Sequence, residues 1–248
     1  MKELTSINNP LVKFISSLSQ KKFRTENNLF LVEGEKALDG ALNCGYKVKY
    51  VFTLNKNLKI LNKIKTDEVY FVNEKVMKKI STTDGCPEIL SVIEKQIFFP
   101  EKNISRVILL ENIKDCGNLG TIIRSACAFN IEAVILLGDC CDLYSSKTLR
   151  SSVGTFFQMK FFEYKTVSQI KTDFADYKLI STNLHKKSDI SLNEINDKFI
   201  LMFGSEADGL TSDTTKIADN NFILPLKSSV ESLNLATAVS IILYELNK

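Results

Sequence analysis

The chain of 248 residues has a single histidine, His185, and no C-x-x-C pair among its six cysteines. Cys44, Cys86, Cys116, Cys127, Cys140 and Cys141 thus lack the close spacing and histidine company of a zinc site, and no metal is expected. Reduced, mostly buried thiols are expected instead. Apolar residues never run for eighteen positions, so no membrane-spanning helix is expected. The opening "MKELTSINNPLVKF" lacks an uninterrupted apolar stretch of the secretory kind, which points to a cytoplasmic protein. Neither G-x-x-x-x-G-K-[ST] nor G-x-G-x-x-G occurs. The P-loop is thereby excluded, and a nucleotide-dependent oxidoreductase loses its fingerprint. No internal repeat and no low-complexity tract interrupts the chain.

What is present is ordinary for a globular protein. An apolar fraction of 44% with 25% charged residues allows a sizeable core, and the length suits one large domain or two modest ones. The net charge of +3 is too small to name a partner, but it is unevenly spread. Residues 1–98 hold 16 Lys/Arg against 11 Asp/Glu, or +5, whereas the remainder holds 16 against 18, or −2. A basic first part fits contact with a polyanion, and it equally fits a solvated lysine-rich surface.

The first 98 residues read as a small α/β domain. A helical stripe runs through Leu11, Val12, Phe14, Ile15 and Leu18. "LFLVEG", "KVKYVFTL" and "EVYFVN" are strands; "EKALDGALNCG", stopped by Cys44-Gly45, and "EKVMKKIST" are helices. Residues 99–105 around Pro100 form a linker. From 106 to 248, strands alternate with helices: "RVILLENI", "AVILLG", "KLISTNL", "KFILMFG" and "NNFILPL" are the strands. Nearly continuous apolar runs of this kind suit a mainly parallel sheet buried on both faces. In such sheets ligands lie beyond the carboxyl ends of the strands, so the loops there are the places to look for chemistry.

Three of those loops stand out. In "NIKDCGNLGTIIR", Gly117 and Gly120 permit positive φ or close backbone approach. Ile122, Ile123, Ala126 and Phe129 face a core, leaving Arg124 on the other side of the new helix. That arginine is either a bidentate phosphate ligand or a solvated surface residue. In "LMFGSEADGL", Glu206 emerges just after a strand stops at Gly204, as an orienting carboxylate or as part of a solvated turn. In "LPLKSSVESLNLATA", Glu231, Ser232 and Asn234 stand where the last helix begins. Ser232 suits an N-cap, and Asn234 would then fall in the first turn, where it lowers helix propensity.

These three stretches, in this order and spacing, resemble the signature motifs of the SpoU–TrmH RNA methyltransferases of the SPOUT superfamily. "TLRSSVGTFFQMKF", with Arg150, Ser152 and Gly154, resembles the segment between the first two motifs, and residues 5–42 resemble the family's small substrate-binding domain. Three departures are visible: Cys116 where proline is usual, Ala207 where glycine is frequent, and Glu111 where aspartate is commoner.

The resemblance implies a C-terminal SPOUT-type α/β domain tied in a deep trefoil knot, preceded by a small α/β substrate-binding domain, and a homodimer through the C-terminal domain. It implies S-adenosylmethionine as cofactor and methyl transfer to an RNA ribose 2′-hydroxyl. Carried onto this chain, Asn118 and Arg124, Glu206, and Ser232 with Asn234 match the catalytic positions of the three motifs. Gly204, Leu224 and Leu233 match cofactor-binding positions, with Thr182 beside them. Lys13, Lys21, Lys22, Arg24 and Arg150 are the expected RNA-binding residues. The added domain resembles that of ribosomal-RNA members, so ribosomal RNA is the expected partner. A transfer-RNA or antibiotic-resistance enzyme of the same family, and an RNA-binding module without turnover, are the alternatives.

Overall fold

The computed structural model describes residues 2–83, 85–101, 103–183, 188–195, 198–227, 229–230 and 232–248; His185 and Glu231 fall outside these. The chain forms two compact units, Met1–Gln96 with Tyr144–Phe157, and Ile97–Leu143 with Gln158–Lys248. Besides the first 96 residues, 144–157 belongs to the first unit. The reason is aromatic packing. Tyr144, Phe156 and Phe157 gather around Phe30 with ring centroids 4.9, 6.0 and 6.5 Å away.

The first unit is built on strands β1 (Lys2–Leu4), β2 (Leu29–Glu33), β3 (Val48–Thr53), β4 (Val69–Val72) and β5 (Ile89–Glu94). Their order is β1-β4-β3-β5-β2, with β1-β4 and β4-β3 parallel and β3-β5 and β5-β2 antiparallel. Helices α1 (Pro10–Ser17), α2 (Lys21–Asn27), α3 (Glu35–Asn43) and α4 (Glu74–Ile80) cover it; after the second unit's α5 (Cys116–Ala128) comes α6 (Ser146–Ser151), which belongs here. Alternation along the strands sends Leu29, Leu31, Leu90 and Val92 to one face, where Val12 and Ile15 of α1 and Val76, Met77 and Ile80 of α4 meet them, with Phe23 of α2 alongside. Val51 and Ile89 point the other way and meet Leu38 and Leu42 of α3.

The first apolar stripe forms α1, and a second short helix, α2, follows it. Asn9 caps α1, its Oδ1 accepting the Leu11 N–H at 2.8 Å, and Pro10 stands at the first helical position. The helix ends at Leu18, where Arg24 Nη1 donates to the carbonyls of both Leu18 and Ser19 at 2.6 Å. Arg24 is only 6% exposed. Its guanidinium closes a helix end, so the expectation that it docks RNA is withdrawn.

The second unit holds β6 (Arg106–Glu111), β7 (Ala133–Leu137), β8 (Lys160–Tyr164), β9 (Lys178–Ser181), β10 (Phe199–Phe203) and β11 (Asn220–Asn221), with α5, α7 (Val167–Asp173), α8 (Ser212–Lys216) and α9 (Leu235–Leu246). The order is β11-β9-β10-β6-β7-β8 and every pairing is parallel. The apolar runs at β7 and β10 are buried along their whole length, as a doubly covered parallel sheet requires. "NNFILPL" contributes only two paired residues, and β1, β5 and β8 went unread in the sequence. From the adjacent β6 and β10 the chain leads to opposite sides of the sheet, so their carboxyl ends flank a topological switch point.

Candidate active site

The loops after β6 and β10, and the segment between β11 and α9, supply three polar side chains that join in one chain of hydrogen bonds. Asn118 Nδ2 donates to Glu206 Oε1 at 2.6 Å, and Asn234 Nδ2 donates to Asn118 Oδ1 at 3.1 Å. Each asparagine is fixed by its helix. Asp115 caps α5 by accepting the Asn118 N–H at 2.7 Å, and Asn234 caps α9 by accepting the Thr237 N–H at 3.2 Å. The expected Ser232 cap is therefore corrected: the helix begins at Leu235, and Asn234 sits at the favoured capping position. The starts of α5 and α9 are thus linked to one carboxylate through two asparagine side chains.

Glycine is needed in the second loop for space. Ser205 and Gly209 pair back-to-back, N–H to carbonyl, at 3.2 and 3.0 Å. A Cβ on Gly204 would lie 1.9 Å from the Gly209 carbonyl carbon, and Gly209 itself has φ +67°. In the first loop the expectation differs from the outcome. Gly117 and Gly120 lie within α5, and the left-handed backbone falls on Asn112, φ 56°. Asn112 is a residue type that tolerates it.

A cavity of about 450 Å³ opens beside this chain of hydrogen bonds. All four expected cofactor positions line it, Thr182, Gly204, Leu224 and Leu233, as do Glu206, Ser232 and Asn234. Leu226, Phe222 and Ile242 complete an apolar wall. Arg124 lies apart from this wall, exposed on α5, and its side chain makes no hydrogen bond or ion pair to any described residue. Arg150 belongs to the first unit and is exposed, as are Lys13, Lys21 and Lys22.

The supporting roles of two residues escaped the sequence reading. Glu111, at the end of β6, is 3% exposed, and its carboxylate accepts from Thr211 N–H, Thr211 Oγ1 and Thr214 Oγ1 at 2.8, 2.7 and 2.8 Å. It thereby anchors the far end of the 204–210 loop. Asn221, also 3% exposed, accepts from Ser181 Oγ at 2.7 Å and the Asn183 N–H at 2.9 Å, which fixes the wall around Thr182. A buried polar side chain at a strand end was the available signal for both.

The six cysteines are free and half-buried, less hidden than expected. Burial pushes the Cys140 and Cys141 thiols above their ordinary pKa, and neighbouring Cys116 adds to the rise at Cys141. Among the described residues no group of three or more His, Cys, Asp or Glu is placed to hold a metal ion.

Residues 105–244 match the SpoU rRNA Methylase family, and residues 9–91 match the MRM3-like substrate binding domain. The chain belongs to the SpoU rRNA methylase family. The 23S rRNA (guanosine(2553)-2′-O)-methyltransferase RlmP of Bacillus subtilis is 30% identical over 251 residues, covering 99% of each chain. The 23S rRNA (uridine(2479)-2′-O)-methyltransferase of Streptomyces viridochromogenes is 25% identical over 266 residues, covering 98% of this chain and 91% of its own. Among solved structures, the AdoMet-bound rRNA methyltransferase of Sinorhizobium meliloti superposes with a TM-score of 0.88 at 30% identity, covering 99% of this SpoU chain and 97% of its own. Family and α/β fold class are as the sequence led us to expect. The likeness spans both units, so the basic first part is a substrate-binding domain and the chain is a methyltransferase.

Proposed function

We propose that this SpoU chain transfers a methyl group from S-adenosylmethionine to a ribose 2′-hydroxyl of ribosomal RNA. The observation that carries the reading is the Asn234–Asn118–Glu206 chain of hydrogen bonds at the mouth of the 450 Å³ cavity. Full-length relatives acting on 23S rRNA support the substrate.

The cavity suits the cofactor in size and in donor chemistry. Its volume lies in the range of small-molecule sites. Leu224, Leu226 and Leu233 offer apolar surface for an adenine, the backbone at Gly204 lines the cavity, and Glu206 offers a carboxylate to a cationic ligand. When bound, S-adenosylmethionine supplies an electrophilic methyl group whose donor leaves as a neutral thioether. The residues of the chain then have three tasks: to align the ribose, to keep water out and to ease loss of the hydroxyl proton. Arg124 carries a guanidinium, which offers donors and no acceptor and so does not serve as the base. It pins an RNA phosphate and lowers the hydroxyl's pKa electrostatically. Asn118 and Asn234 orient the ribose, Ser232 stands at the rim, and Glu206 fixes Asn118.

The finer parts of the reading follow from it. Two copies associate through the second unit, where Ile241 and Tyr244 of α9 are exposed at 37% and 51% and offer an apolar contact. The last helix, α9, is the threaded piece of a trefoil knot. The protein works in the cytoplasm with its RNA. Lys13, Lys21, Lys22 and Arg150 hold RNA phosphates.

The test is tritium transfer from labelled S-adenosylmethionine into total RNA of cells lacking the gene, followed by mapping. Label in a single ribosomal-RNA ribose is expected. Intact cofactor binding without label in RNA or assembled ribosomal particles would favour an RNA-binding module.

A further inference from the structure

We infer that the α1–α2–α4 layer of the first unit is the RNA-docking face, and that Lys75 and Lys79, which nothing above assigns, belong to it. The inference rests on the proposed RNA substrate and deepens it.

The side of the first sheet covered by α1, α2 and α4 is basic. On the side packed over Leu31 and Val92, the exposed lysines are Lys13 of α1, Lys21 and Lys22 of α2, and Lys75, Lys78 and Lys79 of α4. Only two acidic residues lie on these helices, Glu26 and Glu74. Each is engaged within its helix, Glu26 with Lys22 at 3.9 Å and Glu74 with Lys78 at 3.3 Å. The side chains of Lys13, Lys21, Lys75 and Lys79 have no hydrogen-bonding or ion-pairing partner among the described residues. On the opposite layer the charges nearly balance around α3, while Lys147 and Arg150 of α6, on the side of Phe30, add two exposed basic residues. There Lys36, Lys59, Lys63 and Lys65 face Glu35, Asp39 and Asp67, and Lys63 pairs with Asp39 at 2.6 Å.

The placement on α4 is informative. Lys75 and Lys79 are four residues apart, so they project from one side of the helix and repel each other. No described carboxylate relieves that repulsion. An arrangement that is unfavourable alone becomes favourable against a polyphosphate backbone, where each lysine displaces a condensed counterion. The layer therefore fits a nucleic-acid backbone, read by phosphates and shape without base contacts.

The experiment uses the full-length protein and protein-free large-subunit ribosomal RNA, with affinity measured by filter binding between 50 and 200 mM salt. Three variants are compared: Lys75→Gln/Lys79→Gln, Lys13→Gln, and the opposite-layer pair Lys36→Gln/Lys59→Gln. Glutamine has nearly the helix propensity of lysine, so all three should fold, which thermal melting checks. The slope of log affinity against log salt should fall by about 1.5 for the α4 pair and by about 0.7 to 0.9 for Lys13→Gln. The opposite-layer pair should leave it unchanged. An unchanged slope in the α4 pair, or an equal fall in the opposite-layer pair, overturns the assignment. Methyl transfer by the unaltered protein is measured on the same RNA. Its absence there and on assembled ribosomal particles, beside the expected slopes, would overturn the ribose-methylation reading and leave the docking face standing.

Discussion

Glu111 holds Thr211 by two hydrogen bonds, from the backbone N–H to Oε2 at 2.8 Å and from the hydroxyl to Oε1 at 2.7 Å. The pair ties the end of β6, which leads into Asn118, to the end of the loop that carries Glu206. Glu111 is thus a positioning residue for the Asn118–Glu206 contact. Glu111→Gln puts an amide N–H₂ against donors and leaves a buried group unsatisfied, at a cost of about 1–3 kcal/mol. Affinity for S-adenosylhomocysteine, measured by calorimetry, should fall roughly 10-fold. If the effect runs through Glu206, the loss in turnover should shrink in a Glu206→Gln background. Simple additivity of the two losses would reduce Glu111 to a stabiliser of the fold.

Gly204→Ala should abolish binding of the same analogue while most of the fold survives. The new Cβ would overlap the backbone of Gly209 and Leu210, which no rotamer change relieves. Overpacking of this kind costs about 1–3 kcal/mol or more. A melting curve lowered by several degrees together with lost binding is expected. Retained affinity would show that the loop has room to move.

Arg124→Ala should lower kcat about 100-fold or more, the scale of losing one electrostatic stabiliser, and leave cofactor affinity unchanged, because Arg124 is not part of the cavity wall. Arg124→Lys should recover little, since an ammonium cannot grip phosphate bidentately. Full turnover in the alanine variant would remove Arg124 from the mechanism.

Legibility in the sequence followed physical locality. The buried strands Arg106–Glu111, Ala133–Leu137 and Phe199–Phe203 were visible because a doubly covered parallel strand is an unbroken apolar run. β8 was hidden because "KFFEY" follows an aromatic stretch that packs in the other unit, so its own pattern blurred. Arg24 looked like a free basic residue because charge is legible in a sequence and burial against the Leu18 and Ser19 carbonyls is not. The cavity residues were found through motif order. Their supports, Glu111 and Asn221, were missed because each acts on partners 100 and 40 positions away along the chain.

Asn234 offers the sharpest separation of folding from chemistry, because one side chain does both. Its Oδ1 caps α9 through the Thr237 N–H, and its Nδ2 donates to Asn118. Asn234→Asp keeps an acceptor at the cap, and a negative charge there suits the positive end of the helix. It loses the donor, however, and sets a second carboxylate near Glu206. Stability should therefore stay within about 0.5 kcal/mol or rise slightly, while turnover falls. Asn234→Ala loses both functions and should cost about 1 kcal/mol as well. Chemical denaturation and single-turnover methyl transfer on the two variants give four numbers. A drop in stability that tracks the drop in rate would make Asn234 a cap alone. A rate lost in the aspartate variant with stability intact would place the asparagine's amide group in the alignment of the ribose.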